Sequence, residues 1–113
     1  MPPNLDNRKF RSLANTDNGD VSSQTIFHYR QRGDVVWAEY RGGSVRQGSL
    51  IARWTDGDTL EMRYHHITRD NQIKTGRCTS HPEMSENGRL LMYEEWQWTT
   101  GDKSSGISVI EEI

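Results

Sequence analysis

The side chains with the richest chemistry are few, and their spacing is that of strands. His65-His66 and Glu94-Glu95 are adjacent pairs inside runs of β-forming residues. Neighbouring side chains of a strand leave opposite faces, so neither pair acts as a unit. His65-His66 cannot chelate one metal ion, and Glu94-Glu95 is not the facing carboxylate pair that glycoside hydrolysis requires. His28, His66 and His81 could meet only across a closed sheet, and no Cys-x-x-Cys or helical His pair accompanies them. The sequence therefore assigns no metal ligands and no cofactor. Gly42-Gly43 precedes a strand-like run rather than a helix and makes no phosphate cradle. Cys78, the single cysteine, falls on the face opposite His66 in the registers described below, which separates a nucleophile from its base. No catalytic residue is assigned, and the balance leans away from an enzyme.

What remains is binding chemistry. Tyr64, His66, Arg77, Glu94, Trp96 and Trp98, joined by Trp37 and Glu39 from earlier in the chain, share one face if successive strands pair through tight hairpins. Two readings of that set are open. In one, Arg77 and Glu94 form a structural ion pair inside a filled core, because a buried charge is costly unless paired. In the other, the set lines a wet cavity: Arg77 holds an anionic group and the Trp rings stack on an aromatic or flat small-molecule ligand. The filled interior is slightly ahead, since barrels of this size often fill themselves with side chains.

The elements that would position these residues are short strands. Thr25–Gln31, Val35–Arg41, Val45–Trp54, Leu60–Thr68, Ile73–His81, Leu90–Thr99 and Lys103–Glu111 are rich in Val, Ile, Thr, Tyr and Trp. Phe10–Ala14 is a weaker first strand, and residues 1–9 read as a flexible N-terminal segment before a single barrel domain over 10–113. The breaks, such as Arg32-Gly33-Asp34, Asp56-Gly57-Asp58, Asp70-Asn71, Asn87-Gly88 and Gly101-Asp102, hold residues that tolerate hairpin turns. No segment shows three-and-four apolar spacing with caps, so no helix is expected. Parallel strands would need long crossovers for which there is no room. The expectation is an all-β fold, an antiparallel up-and-down meander of about eight strands closed into a small, lipocalin-like barrel.

Turn lengths then set the faces. Two-residue turns at Asp70-Asn71, Asn87-Gly88 and Gly101-Asp102 place Arg77 opposite Tyr64 and Trp98, and Ile107 opposite Trp96. Three-residue loops at Arg32-Gly33-Asp34 and Asp56-Gly57-Asp58 add Phe27, Tyr29, Val35, Trp37, Glu39, Leu50, Ala52 and Trp54 to the inner face. Leu91, Tyr93 and Ile110 fall outside, where they would suit a homodimer contact.

Composition bounds the partners. The chain has 113 residues and a net charge of −2, enough for one modest core and without the basic footprint of a nucleic-acid binder. No apolar run resembles a signal peptide or a membrane span. With one cysteine, the default expectation is a cytoplasmic protein.

The runs MRYHH (Met62 to His66), GRCTSHPE (Gly76 to Glu83) and EEWQWTTGDKSSGISVIEEI (Glu94 to Ile113), with FRSLANTDNGDVSSQTIFHY near the start, resemble a family of small bacterial proteins that is often labelled "N-acetylglutamate synthase" or left uncharacterised. The resemblance covers nearly the whole chain. It implies acyl transfer from acetyl-coenzyme A. The Gln/Arg-x-x-Gly-x-Gly/Ala turn that common acetyltransferases use for the cofactor pyrophosphate is absent, since no glycine has Gly or Ala two residues later. Three functions therefore stand in order: a small-molecule-binding barrel, an interaction or structural module with a filled core, and an acyltransferase.

Overall fold

Alternating apolar residues and closely spaced turn residues give eight strands. The computed structural model describes residues 2–55 and 57–113, so Asp56, in the expected break at 56–58, lies outside the described residues. The strands are β1 (Arg8–Asn15), β2 (Ile26–Arg32), β3 (Val35–Gly42), β4 (Val45–Trp54), β5 (Leu60–Thr68), β6 (Ile73–Met84), β7 (Leu90–Trp98) and β8 (Ser105–Glu112). Each pairs antiparallel with the next, and β1 also pairs with β8, closing the barrel. The expected all-β, eight-stranded meander is the fold of the molecule, and no helix occurs among the described residues. Closure leaves no strand edge open for pairing with another chain.

The two ends of the barrel differ. At one end Phe10, Val36, Leu60, Met92 and Ile110 are fully buried and fill the interior. Leu5 is also fully buried, and its N–H donates to Oε1 of Gln31, which also accepts from the Trp54 indole. Leu5 thus plugs this end from within the segment expected to be flexible, and β1 begins at Arg8. At the other end lie the hairpin loops after β3, β5 and β7 and the long β1–β2 connection, residues 16–25.

Of the seven strands β2 to β8, four present the expected face to the interior and three do not. β2, β4, β5 and β7 turn the expected residues inward, including Tyr29, Leu50, Met62, His66 and Trp96. β3, β6 and β8 are inverted. The cause is loop parity: changing a hairpin loop by one residue moves the whole next strand to its other face. Arg32 pairs with Val35, so the β2–β3 turn has two residues, not three. Val36, Ala38 and Tyr40 consequently point in, while Val35, Trp37 and Glu39 point out. The Thr68 N–H donates to the Gln72 carbonyl, which makes residues 69–71 a three-residue loop in which Asn71 holds φ 68°. That brings Gly76, Cys78 and Ser80 inside and sends Arg77 out. The β6–β7 loop is likewise odd, with Ser85 bonded to Arg89, and this second slip restores β7. The Trp98 N–H donates to Ser104, a five-residue loop, so β8 buries Ser108 and Ile110 and exposes Ile107.

Candidate functional site

The fill of aromatic and aliphatic side chains stops short of the loop-bearing end. There a partly open cavity of about 50 Å³ remains. By the measure that one water needs about 10–15 Å³, it holds a few waters or a small chemical group. Phe27, Leu50, Met62, Trp96 and Trp98 give it an apolar wall, and Glu94 and Ser108 give it a polar one. Inward glycines make room for the large rings. A Cβ on Gly48 would collide with the Tyr40 ring, on Gly76 with the Tyr64 phenol, and on Gly106 with the Trp96 indole. The rings thus lie against bare backbone. Trp96 and Trp98 meet edge to face at 5.5 Å, and Trp98 meets Tyr64 the same way at 5.8 Å, geometries worth ~0.5–1.5 kcal/mol each beyond burial.

The β1–β2 connection folds over this cavity as a lid. Its Gly19, Asp20 and Val21 contribute to the lining. Three anchors hold it. The Trp96 indole N–H donates at 3.1 Å to Oδ1 of Asn15, the last residue of β1, whose Nδ2 donates to the lid carbonyl of Val21 at 3.0 Å, and the Trp98 indole N–H donates to the Asn18 carbonyl at 3.0 Å. Both tryptophans therefore spend their polar edges on the lid and the β1 residue that bonds it, and present carbon surface to the cavity. The third anchor is ionic. Asp20 Oδ2 accepts from His66 Nε2 at 2.9 Å, and the Lys74 ammonium lies 3.1 Å from the same oxygen and 5.0 Å from the Trp98 ring centroid. Because a carboxylate only accepts, Nε2 of His66 donates to Asp20, while Nδ1 lies 3.0 Å from the Tyr40 hydroxyl, which also reaches the His65 carbonyl at 3.3 Å. The His66 hydrogen bond, aided by Lys74, holds the Asp20 carboxyl below the usual range despite its partial burial. Where the lid rejoins β2, Thr25 donates to the Gly42 carbonyl, and Gly42 packs so closely on the Gln24 backbone at φ 123° that no side chain fits.

Glu94 is the isolated charge of the interior. Ser108 Oγ donates to it at 3.0 Å and Ser80 Oγ at 3.5 Å. No Lys or Arg lies in the cavity wall. The surface Glu94 keeps is confined to that cavity and to a hollow beside Tyr93 and Ile107 on the outer wall. Burial pushes its carboxyl up to about 7, against the two serine hydrogen bonds that favour the ionised form. Nearby, the hydroxyl of the fully buried Tyr29 has no hydrogen-bond partner among the described residues.

Of the eight residues expected to line the interior, Tyr64, His66, Glu94, Trp96 and Trp98 do so. Arg77, Trp37 and Glu39 do not, for the parity reason given above. Arg77 is on the outer surface, donating to Gln97 Oε1 at 2.7 Å, so there is no Arg77–Glu94 pair and no arginine in the cavity to hold an anion. Cys78, expected outside, lines the cavity with His66, but both ring nitrogens of that histidine are occupied and burial raises the thiol pKa well above its ordinary value. It is an inert thiol by the usual criterion. Ile110, expected outside, is fully buried. The lid residues and Ser80 and Ser108 carry no sequence signal: the first sit in an aperiodic polar loop, and the serines lie on β6 and β8, whose faces turn on loop parity. Among the described residues, no group of three or more His, Cys, Asp or Glu side chains is placed to hold a metal ion.

The sequence profile of the avidin-like protein family matches residues 3–113. Neither a curated protein nor a solved structure matches the chain.

Proposed function

The chain belongs to the avidin-like protein family, and from that premise we propose that it binds a small molecule between the lid and the tryptophan wall of the barrel. The observation that carries this reading is the cavity itself. It is concave, largely apolar, and supplied with a few polar groups, Glu94 and Ser108 among them, which is the usual make-up of a small-ligand site. A core built only for stability has no reason to leave such a space, since each void forfeits packing contacts. A ligand larger than the present space enters by displacing residues 16–25, whose anchors are a handful of hydrogen bonds and one ionic contact rather than strand pairing. The acyltransferase reading draws no support from the family match and is set aside.

The test is native mass spectrometry of protein purified without unfolding, followed by a fragment screen on the ligand-free form. A retained or added compound of a few hundred daltons, bound one per chain, is the expected result. Biotin, a ligand of avidin-like proteins, is the first compound to add. A chain that purifies empty and takes up no compound from a broad screen would overturn the reading.

One observation favours a second reading, an interaction module acting through its outer wall. Tyr93, Ile107 and Val109 rim an apolar hollow over β7 and β8, with Ile107 64% exposed. Sedimentation as a function of concentration, with Ile107→Lys as the control, separates it from the first.

A further inference from the structure

Resting on the small-molecule reading above, we propose that the polar end of the cavity recognises a planar cationic head, of the amidinium or guanidinium class, through the carboxylate of Glu94. The geometry is that of an incomplete site. An ionised carboxylate offers about four acceptor positions. Ser108 fills one on Oε1 and Ser80 one on Oε2, which leaves one open position on each oxygen. Two parallel N–H groups of an amidinium match that remaining pair as a fork.

The surroundings supply everything except the countercharge. The titratable groups that face the Glu94 region are Tyr29, Tyr40, Tyr64, His66, Cys78 and, from the lid, Asp20, with His81 and Glu95 across the outer hollow. Asp20 and His66 are committed to each other, and the tyrosines and the thiol are neutral. Lys74 reaches Asp20 at the mouth and the arginines lie outside. A carboxylate in such a place is disfavoured by burial, and an arriving positive charge offsets that cost. Without it the group is divided between acid and carboxylate near neutral pH, in line with its raised pKa. Binding of the cation therefore converts the remaining Glu94 acid to the carboxylate and releases its proton to solvent. The apolar wall of Trp96, Met62 and Leu50 then favours a flat, weakly hydrated ion over a compact ammonium.

Three planar probes of one size and shape, differing in charge, test this: acetamidine (cation), acetamide (neutral) and acetate (anion). Each is added at millimolar concentration, since a ligand this small binds at best in roughly the tens of micromolar. The readouts are the indole N–H signals of Trp96 and Trp98 and the carbon-13 titration of the Glu94 carboxyl. The expected result is acetamidine binding at least tenfold tighter than acetamide, no shift with acetate, and a Glu94 midpoint lowered by one unit or more with acetamidine present. Glu94→Gln, which keeps the volume and stays neutral, is expected to abolish the preference between acetamidine and acetamide. Equal or tighter binding of acetamide or acetate to the unaltered protein overturns the cationic head and leaves the cavity reading standing. Silence of both indoles to all three probes also overturns it. The cavity reading itself falls only if the larger compounds of the fragment screen leave those indoles unmoved as well.

Discussion

Nε2 of His66 lies 2.9 Å from Oδ2 of Asp20, a residue 46 positions earlier in the chain. This contact ties the lid to the barrel wall, and Lys74 and Tyr40 brace it from either side. Its strength sets how easily the interior opens.

Asp20→Asn should loosen the lid without unfolding the barrel. A hydrogen bond to a charged group contributes ~1.5–3 kcal/mol. The variant is expected to lose about 1–2 kcal/mol of stability, with faster amide hydrogen exchange confined to residues 16–25. The same logic gives a pH dependence. The carboxyl of Asp20 is depressed in the fold, so its contribution is present above the ordinary aspartate pKa and is lost as pH falls through the lower folded value. Exchange of the lid amides, corrected for intrinsic rates, should therefore rise on acidification below about pH 4.

Glu94→Gln should do the reverse to stability at higher pH. The Glu94 pKa is raised from 4.5 to about 7, so the fold binds a proton the unfolded chain has already lost. Stability from this group is complete below about 4.5 and falls as pH rises through about 7. Above that the penalty reaches at most ~3 kcal/mol, since the group retains some surface. Thermal unfolding should show the variant more stable than the parent at pH 8 by about 1–3 kcal/mol, and the two indistinguishable at pH 4.

Gly106→Ala should damage the cavity from the wall side. The added Cβ meets the Trp96 indole and the Thr16 hydroxyl, and both must give way. Overpacking of this kind costs about 1–3 kcal/mol. Because Trp96 also anchors the lid through Asn15, ligand affinity should fall together with stability, which titration calorimetry and thermal melts would record.

Arg77→Ala should change little. Its guanidinium bonds Gln97 on the outer surface, where substitutions usually stay within about 0.5 kcal/mol. Unaltered ligand affinity in this variant is expected. A large loss would restore the interior arginine that strand alternation alone suggests.

How far the sequence carries the argument depends on loop parity. The strand-forming runs and the lack of any capped, helix-spaced segment were enough for the closed eight-stranded meander, because closure and antiparallel pairing follow from short connections. Tyr64, His66, Glu94, Trp96 and Trp98 were legible as interior residues because β5 sits correctly and two successive odd loops cancel before β7. Arg77 was misplaced because Asn71, rather than a glycine, takes the left-handed position, so the odd loop had no marker. Asp20 was invisible for a different reason. It lies in NTDNGDVSS, where no periodicity links it to His66, and only the closed barrel brings the two together.

The central claim concerns the space behind Trp96 and Trp98, and the four tryptophans suit its measurement. Trp96 and Trp98 line the cavity, Trp54 is buried at the plugged end, and Trp37 stands 36% exposed on the outer wall. Proton–nitrogen correlation spectra of the indole groups, recorded while compounds are added, read all four sites at once. The account predicts ligands that shift Trp96 and Trp98 together, by disturbing the Asn15 side chain and the Asn18 carbonyl they donate to, and leave Trp37 and Trp54 in place. Ligands that move Trp37 alone, or none that move Trp96 and Trp98, would contradict it.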